Sequence, residues 1–277
     1  METFFSFLER RIDDCSSLLC IGLDPHVSEL EHPTAASALE FSLNLVRQTA
    51  PYAAAFKPNA AFFEQFGSRG WSALKQVIAA IQRESQRRGS MIPVILDAKR
   101  GDIASTAEAY AESAFKKLGA HCITLSPYLG KDSIDPFISN QEKGVFLLCK
   151  TSNQGSGDLQ DLVLEGGDLL YERVARLARQ WNTKNNIGLV VGATQPEAMA
   201  RVRAVAPDLW FLAPGVGAQG GDLETALRAG LRKDGKGMLM PVSRAISRAA
   251  NPALAAAELR DQIISIQQLV RSSSTHR

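Results

Sequence analysis

Two carboxylates and an ammonium group follow one apolar run of the chain within six residues: Asp97, Lys99 and Asp102 come directly after residues 91–96. Side chains alternate along a strand, so Asp97 and Lys99 should project to the same side. Charges are costly to bury unless they are paired. An acid and an ammonium group at such a position can hold a reacting group and transfer a proton. A structural ion pair, with Asp102 as a helix cap, is the alternative interpretation of this spacing alone.

The composition limits the classes of protein that the chain can belong to. Its 277 residues include 45% apolar residues and carry a formal net charge of +2, which is typical of a globular protein with a full core. Because no basic field is present, we expect no nucleic-acid partner. We also expect no membrane span, since no apolar run reaches about 18 residues. Residues 1–11 are too short and too acidic for a secretion signal.

The cysteines and histidines show no metal-binding or disulfide pattern. The four cysteines contain no C-x-x-C pair, and three of them lie inside apolar runs, where cysteine behaves as a small hydrophobe. The spacing of the four histidines matches no metal site. These features predict a soluble cytoplasmic protein without structural disulfides or a bound metal.

Short apolar runs recur along the chain, and polar residues follow most of them. The runs are continuous rather than alternating, which is typical of parallel strands covered on both faces. The predicted strands are 18–23, 53–56, 91–96, 122–125, 144–149, 187–191, 209–213 and 237–242.

Segments with helical periodicity and capping signals lie between these strands. The predicted helices are 36–49, 71–88, 103–118, 168–181, 196–205 and 252–270. Residues 156–167 show no clear period, and we predict a long active-site loop or a lid there. Residues 272–277 are predicted to be a frayed tail.

Eight strand–helix units in about 250 residues predict an α/β protein, specifically a (β/α)₈ TIM barrel that forms a single domain over residues 1–277. A doubly wound sheet is the alternative fold. In a barrel the site lies at the C-terminal ends of the strands. The polar residues that fall at these predicted ends are Asp24, Lys57, Asp97, Lys99, Ser152 and Arg244.

The segment after the seventh predicted strand is rich in glycine, and Arg244 follows the eighth. Barrels frequently bind phosphate through the loops after strands seven and eight, with backbone N–H groups as donors. Gly215 and Gly217 would let the backbone approach an anion. Gln219 offers a side-chain amide, and Arg244 offers a bidentate fork. In isolation, the glycines favour a tight turn before a helix, but their position after strand seven, together with Arg244 after strand eight, favours a phosphate site.

Together these motifs resemble the orotidine 5′-phosphate decarboxylase family, specifically its longer bacterial subfamily (type 2). The resemblance covers nearly the whole chain. It rests on Ile21-Gly-Leu-Asp24-Pro25, Phe56-Lys57-Pro58-Asn59, Asp97-Ala-Lys-Arg-Gly-Asp-Ile-Ala-Ser-Thr106 and Pro214-Gly-Val-Gly-Ala-Gln219. It implies a cytoplasmic, homodimeric barrel with a shared active site. Such an enzyme converts orotidine 5′-phosphate to UMP and CO₂ in pyrimidine synthesis, without a cofactor or metal.

The resemblance also implies a role for each matching residue. The alternating Lys-Asp-Lys-Asp array of the family corresponds to Lys57, Asp97, Lys99 and Asp102, with Lys99 as the proton donor. Asp102 and Thr106 would act in the site of the neighbouring subunit. The remaining substrate contacts would be Asp24 at the ribose, Ser152 at the pyrimidine, and Gly215, Gly217, Gln219 and Arg244 at the phosphate.

Two other functions remain open at this point. A Mg²⁺-dependent sugar-phosphate decarboxylase or aldolase of the same superfamily shares the D-x-K-x-x-D pattern. Those enzymes resemble one another in an acidic metal ligand at the end of strand two, where this chain has Lys57. The fold alone would also permit a lysine Schiff-base aldolase. Lys99 does not suit that role, because a lysine flanked by two acids should stay protonated, whereas a Schiff-base nucleophile must be neutral. A catalytically silent nucleotide-binding barrel should lack a member of the charged array, and none is missing.

Overall fold

Parallel strands form a closed ring in the computed structural model, which describes residues 2–216 and 222–274. The strands are β1 (Leu19–Leu23), β2 (Ala55–Pro58), β3 (Ile95–Arg100), β4 (Cys122–Leu125), β5 (Gly144–Lys150), β6 (Ile187–Val191), β7 (Phe211–Leu212) and β8 (Met238–Val242). Neighbours pair in the order β2-β1-β8-β7-β6-β5-β4-β3. Parallel bridges from Phe56 to Val94 and from Asn59 to Asp97 join β2 to β3. The predicted (β/α)₈ barrel is therefore confirmed.

Helices connect the strands and cover the ring. They are α1 (Phe4–Cys15), α2 (Ala35–Thr49), α3 (Ala61–Glu64), α4 (Gly67–Arg88), α5 (Ala104–Glu112), α6 (Asp135–Ile138), α7 (Gly157–Gln160), α8 (Leu170–Trp181), α9 (Pro196–Val205), α10 (Leu223–Gly230), α11 (Arg244–Ser247) and α12 (Pro252–Ser274). Short 3₁₀ turns lie at Val27–Glu29, Lys131–Ser133 and Gln154–Ser156, and a π-helical turn at Ser113–Lys117. Every residue of β1, β2, β4, β6 and β8 is buried, as continuous apolar runs require.

Two strands, β2 and β3, both begin and end later than their apolar runs predicted. β2 was predicted at 53–56 and β3 at 91–96, so the charged residues Lys57, Asp97 and Lys99 lie inside strands rather than after them. An apolar run reports burial, whereas a strand also needs main-chain pairing. Pro93 has no N–H group to contribute to a ladder, which explains why β3 does not begin at residue 91.

Helix α1 closes the N-terminal end of the barrel and was not predicted from the sequence. Thr3 caps the helix by accepting a backbone N–H bond at 3.2 Å. Phe5 stacks on Trp210, with ring centroids 5.9 Å apart. A methyl group on Gly144 would lie 2.2 Å from the Phe4 ring. Strand β5 therefore begins with glycine because α1 packs directly against it.

Two further segments differ from the prediction. Helix α10 was not predicted; Asp222 caps it by accepting the Thr225 N–H at 2.7 Å. The segment 156–167, predicted as a loop, contains the short helix α7, and an antiparallel bridge joins Val163 to Leu169. This segment is therefore partly ordered by its own main-chain bonds.

The final helix is longer than predicted. Helix α12 continues to Ser274, so residues 272–274 are helical instead of a frayed tail, and 275–277 lie outside the described residues. Extending an existing helix fixes one residue for each new hydrogen bond, which is much easier than nucleating a turn. In the described part of the chain, no helix is both long and apolar enough to cross a membrane.

The stability of the barrel should depend on the protonation of His121. The Val94 N–H donates to His121 Nδ1 at 3.1 Å. Burial, with a smaller effect from Lys143, lowers the pKa of His121 to about 4. An unfolded histidine titrates near about 6.5, so between these pH values the unfolded chain binds one more proton than the folded chain. The free energy of unfolding should therefore fall by about 2–3 kcal/mol as the pH drops through this window.

The variant His121→Asn isolates this contribution, because its side-chain oxygen still accepts the Val94 N–H but does not titrate. Urea denaturation at several pH values between 4 and 7 measures both proteins. We expect a flatter pH dependence for the variant. Parallel curves for the two proteins would contradict this account of His121.

Candidate active site

Three charged side chains meet at the C-terminal ends of β2 and β3. The Asp97 carboxylate accepts a hydrogen bond from Lys57 Nζ at 2.8 Å through Oδ2, and one from Lys99 Nζ at 2.5 Å through Oδ1. Lys57 and Asp97 are 7% and 8% exposed, whereas the side chain of Lys99 is 51% exposed. The structure therefore brings together three members of the predicted array, and the side chain of Lys99 is the most exposed of the three.

Charge pairing outweighs burial in this cluster. Burial alone would lower the pKa of Lys57, but the carboxylates of Asp97 and Asp24 raise it above its usual value. Burial would raise the pKa of Asp97, but Lys57 and Lys99 hold it well below its usual range. Nearby opposite charges favour the ionised form of each partner. Lys57 and Asp97 are therefore both charged at neutral pH.

The backbone at Lys99 has a left-handed conformation, with φ of 47°. This is uncommon for a residue other than glycine. The pairing of β3 with β4 shifts register between Leu96 and Arg100, which marks a β-bulge. Asp97 and Lys99 do meet as predicted, but through this bulge rather than through the regular alternation on which the prediction rested. The bulge turns the ammonium group back onto the carboxylate.

A pocket of about 310 Å³ lies at the ends of β1, β2 and β8 and the loop after β7. Asp24, Lys57, Gly215 and Arg244 are among the residues that line it. Asp24 Oδ1 is buried and has no hydrogen-bond partner among the described residues. A buried acceptor without a partner costs about 1–3 kcal/mol. The arrangement is therefore suited to a ligand that brings a hydroxyl or amide donor to Asp24.

The predicted phosphate residues are only partly within the described chain. Arg244 is the first residue of α11 and lines the pocket together with Gly215, whose φ of 113° favours glycine. Next to Arg244, an ion pair between Arg248 and Glu29 ties α11 to the loop after β1. Gly217 and Gln219 lie outside the described residues. The pocket lining thus combines Arg244, which carries a guanidinium group, with the glycine backbone at Gly215.

Ser152 lies in the loop after β5 and is not among the residues that line the pocket. Lys150, the last residue of β5, donates to Asp161 Oδ1 at 2.7 Å and so fastens the far part of this loop to the strand. A methyl group on Gly192 would lie 3.1 Å from Ser152 Cβ. Ser152 is thus held close to the end of β6.

Asp102 and Thr106 lie apart from the three-charge cluster. The Asp102 carboxylate accepts the Ile103 N–H at 2.8 Å, and it forms no ion pair with Lys99 among the described residues. Thr106 is exposed in the first turn of α5. A single chain therefore does not bring either side chain to the Lys99 ammonium.

Sequence reasoning missed three residues of this region. His26 and Phe62 line the pocket beside Asp24, with ring centroids 4.3 Å apart, and no local spacing indicated that contact. Thr124 is 1% exposed and donates its hydroxyl to Asp97 Oδ1 at 3.0 Å. A hydroxyl inside the apolar run 122–125 was the signal that could have identified Thr124.

Comparison with known proteins agrees with this geometry. Residues 17–259 match the family model described as orotidine 5′-phosphate decarboxylase / HUMPS. The chain belongs to this family. It is 48% identical over 271 residues to the orotidine 5′-phosphate decarboxylase of Roseiflexus castenholzii, which covers 94% of this chain and 97% of that protein.

Solved structures with the same fold include members of this decarboxylase family. The OMP decarboxylase of Leishmania donovani superposes with a TM-score of 0.87 at 55% identity, covering 96% of this chain and 99% of that chain. The UMP synthase of Leishmania donovani gives a TM-score of 0.88 at 56% identity, but this chain spans 57% of its length. The family resemblance predicted from the sequence motifs is confirmed.

The Lys57–Asp97 pair should show strong energetic coupling. Asp97→Ala leaves the Lys57 ammonium buried with less compensation, so we expect a loss of about 3–5 kcal/mol of unfolding free energy. Lys57→Met should also destabilise the protein. The double variant should lose less than the sum of the two single variants, by about 1–3 kcal/mol. Urea denaturation of the four proteins measures this cycle, and additive losses would show that the two charges do not depend on each other.

Proposed function

We propose that this chain decarboxylates orotidine 5′-phosphate to UMP and CO₂, with Lys99 as the proton donor. The observation that carries the proposal is the buried Lys57–Asp97 pair with the accessible Lys99 ammonium on the same carboxylate. Membership of the decarboxylase family supports the same reaction. The reaction belongs to pyrimidine synthesis and makes the enzyme a carboxy-lyase.

The chemistry requires a fixed positive charge at the reacting carbon. When the bond from C6 to the carboxylate breaks, its electron pair stays on C6 in the plane of the ring, where the π-system cannot delocalise it. Opposite charges about 4 Å apart interact by about 4 kcal/mol at an effective dielectric near 20. The Lys99 ammonium both stabilises this carbanion and donates a proton to C6. Lys99 alone does not account for the whole barrier, so binding elsewhere on the substrate must contribute.

Asp97 has two roles in this proposal. It keeps the ammonium groups of Lys57 and Lys99 in place, and its low pKa means that it accepts hydrogen bonds without taking a proton at neutral pH. It also lies where the substrate carboxylate would approach Lys99, and repulsion between the two anions would favour loss of CO₂.

The pocket supports an assignment of the remaining substrate contacts. The unpartnered Asp24 Oδ1 would accept a bond from a ribose hydroxyl, with Lys57 on the same wall of the pocket. Arg244 would bind the phosphate as a bidentate donor. Gly215, Gly217 and Gln219 would complete the phosphate site, and Ser152 would contact the pyrimidine from the loop after β5.

The rival Mg²⁺-dependent reactions fit the site less well. The position of their acidic ligand at the end of β2 holds Lys57, whose ammonium lies 2.8 Å from Asp97. A divalent cation there would face a buried positive charge. The proposal accordingly needs no metal or organic cofactor. A silent binding barrel is also disfavoured, because Lys57, Asp97 and Lys99 are all present and in contact.

We further propose that two copies share their active sites, with Asp102 and Thr106 acting in trans. These residues lie in and after the loop following β3, next to the loop following β4. Three large apolar side chains are exposed on these loops: Ile103 at 52%, Tyr128 at 81% and Leu129 at 47%. Contiguous apolar exposure is typical of protein interfaces. A second copy on this face would cover the apolar groups and bring its own Asp102 towards Lys99.

A cytoplasmic location is consistent with the cysteines. Cys15, Cys20, Cys122 and Cys149 are all buried and unpaired. Burial raises the pKa of the Cys20 thiol to about 12. Buried thiols of this kind behave as small apolar groups and suit a reducing compartment.

The first test of the proposed function follows the ultraviolet absorbance of orotidine 5′-phosphate with purified protein, with and without EDTA. We expect conversion to UMP at equal rates in both. Lys99→Ala should lower the rate more than about 10³-fold, because it removes both the charge and the proton donor. Lys117→Ala, at an exposed surface lysine, is the control and should be fully active. Turnover at the normal rate by folded Lys99→Ala would refute the assignment of Lys99.

Shared sites predict that two inactive variants complement each other. Mixed dimers of Lys99→Ala and Asp102→Ala contain one intact site and one site with both defects. Random exchange makes half of the dimers mixed, so about a quarter of the wild-type activity should return. Native mass spectrometry confirms that the subunits have exchanged. Mixed dimers without recovered activity would show that Asp102 does not act in trans.

A further inference from the structure

We propose that Thr124 is a positioning residue for proton transfer: its buried hydroxyl sets the Lys99 bulge and orients Asp97. The inference rests on the proposed function, because it concerns the same lysine and carboxylate. Thr124 lies in β4 and does not belong to the described lining of the pocket. Its role is therefore to act through Asp97 and Lys99 rather than to contact substrate.

The Thr124 hydroxyl makes three hydrogen bonds, which is the full capacity of one donor and two lone pairs. Its oxygen accepts the N–H of Ala98 at 3.0 Å and the N–H of Lys99 at 2.9 Å. It donates to Asp97 Oδ1 at 3.0 Å. The directions are unambiguous, because N–H groups only donate and an ionised carboxylate only accepts. The hydroxyl therefore joins three consecutive residues of β3 at a single atom.

This arrangement is possible only in a bulge. Successive N–H groups of a regular strand point to opposite sides, so they do not converge on one acceptor. Leu96 pairs with Ile123 and Arg100 pairs with Leu125, so three residues of β3 lie opposite Thr124 alone. Its hydroxyl takes the place of the ladder partner that the bulged N–H groups lack. Without the hydroxyl, two partly buried N–H groups would lose their bonds, and the left-handed conformation of Lys99 would lose its support.

The same hydroxyl also fixes the acceptor of the reacting ammonium. Asp97 Oδ1 accepts from both Thr124 and Lys99 Nζ, whereas Oδ2 accepts from Lys57. Loss of the Thr124 bond would free the carboxylate to turn and would change the position of the proton donor. The chemical step is sensitive to such shifts, whereas the ribose and phosphate contacts lie on other strands.

Three variants separate positioning from a purely structural role. Thr124→Val keeps the shape of the side chain without the hydroxyl and should lower kcat by about 10²-fold, which is the cost of displacing a reacting group by about 1 Å. Thr124→Ser keeps the hydroxyl and should restore kcat to within about tenfold of wild type. The dissociation constant for UMP should change less than about threefold in both variants.

Thr49→Val is the matched control. Thr49 is equally buried, in α2, and donates its hydroxyl to the Leu45 carbonyl at 2.7 Å. This variant should lose stability without a change in kcat. If Thr124→Val does not fold, Thr124→Cys replaces it, because a thiol is a much weaker hydrogen-bonding group. An unchanged kcat in the hydroxyl-free variant, or an equal loss in Thr124→Ser, would overturn the inference.

A crystal structure of the hydroxyl-free variant tests the geometry independently of turnover. We expect Lys99 to leave the left-handed region and its Nζ to move by about 1 Å or more from Asp97. Absence of turnover by the wild-type enzyme would refute the proposed function, and this structure would still test Thr124. An unchanged bulge in the variant would refute the positioning role alone.

Discussion

The barrel closes between β2 and β3, and a buried ion pair crosses that seam. The strands are joined there by two isolated bridges, from Phe56 to Val94 and from Asn59 to Asp97. The main-chain oxygen of Asp97 accepts the Ala60 N–H at 3.0 Å, while its side chain accepts from Lys57 across the same seam. Asp97 therefore closes the barrel with its backbone and assembles the charged site with its carboxylate. Because the desolvation of Lys57 is offset only when Asp97 is in place, folding of this seam and assembly of the site are coupled.

The cost of burying a charge also separates the roles of Lys57 and Lys99. Lys57 is almost fully buried, and Asp97 and Asp24 raise its pKa, so it acts as a fixed positive charge. Lys99 shares the Asp97 carboxylate but is half exposed, so a substrate can reach its ammonium without opening the core. A proton donor must recover its proton from solvent after each turnover, and the side chain of Lys99 is far more exposed than that of Lys57, which lines the pocket but is almost fully buried. In the proposed mechanism, burial thus separates the ammonium group that stabilises the site from the one that donates the proton.

Patterns that depend on neighbouring residues predicted the barrel well. The bounds of β4, β6 and α9 agree with the sequence prediction, because a continuous apolar run or a proline at a helix start is a local signal. Features that depend on distant segments were not predictable in this way. The bulge at Lys99 needs the hydroxyl of Thr124 on the next strand, and the position of α1 needs Trp210, far along the chain. Asp102 is a different case, since its proposed partner lies in a second subunit, and neither the sequence nor one chain locates it.

The two ends of the barrel differ in how completely their polar groups are satisfied. At the N-terminal end, the buried guanidinium of Arg11 donates to the carbonyls of Ala50 and Ala53. At the C-terminal end, Asp24 Oδ1 has no partner among the described residues, and Lys99 has a strained backbone. Unpaired and strained groups lower stability and persist only where the surrounding fold fixes them. A ligand that donates a hydrogen bond to Asp24 would satisfy the acceptor that folding leaves without a partner, so the end of the barrel that is least satisfied by folding is the end suited to binding.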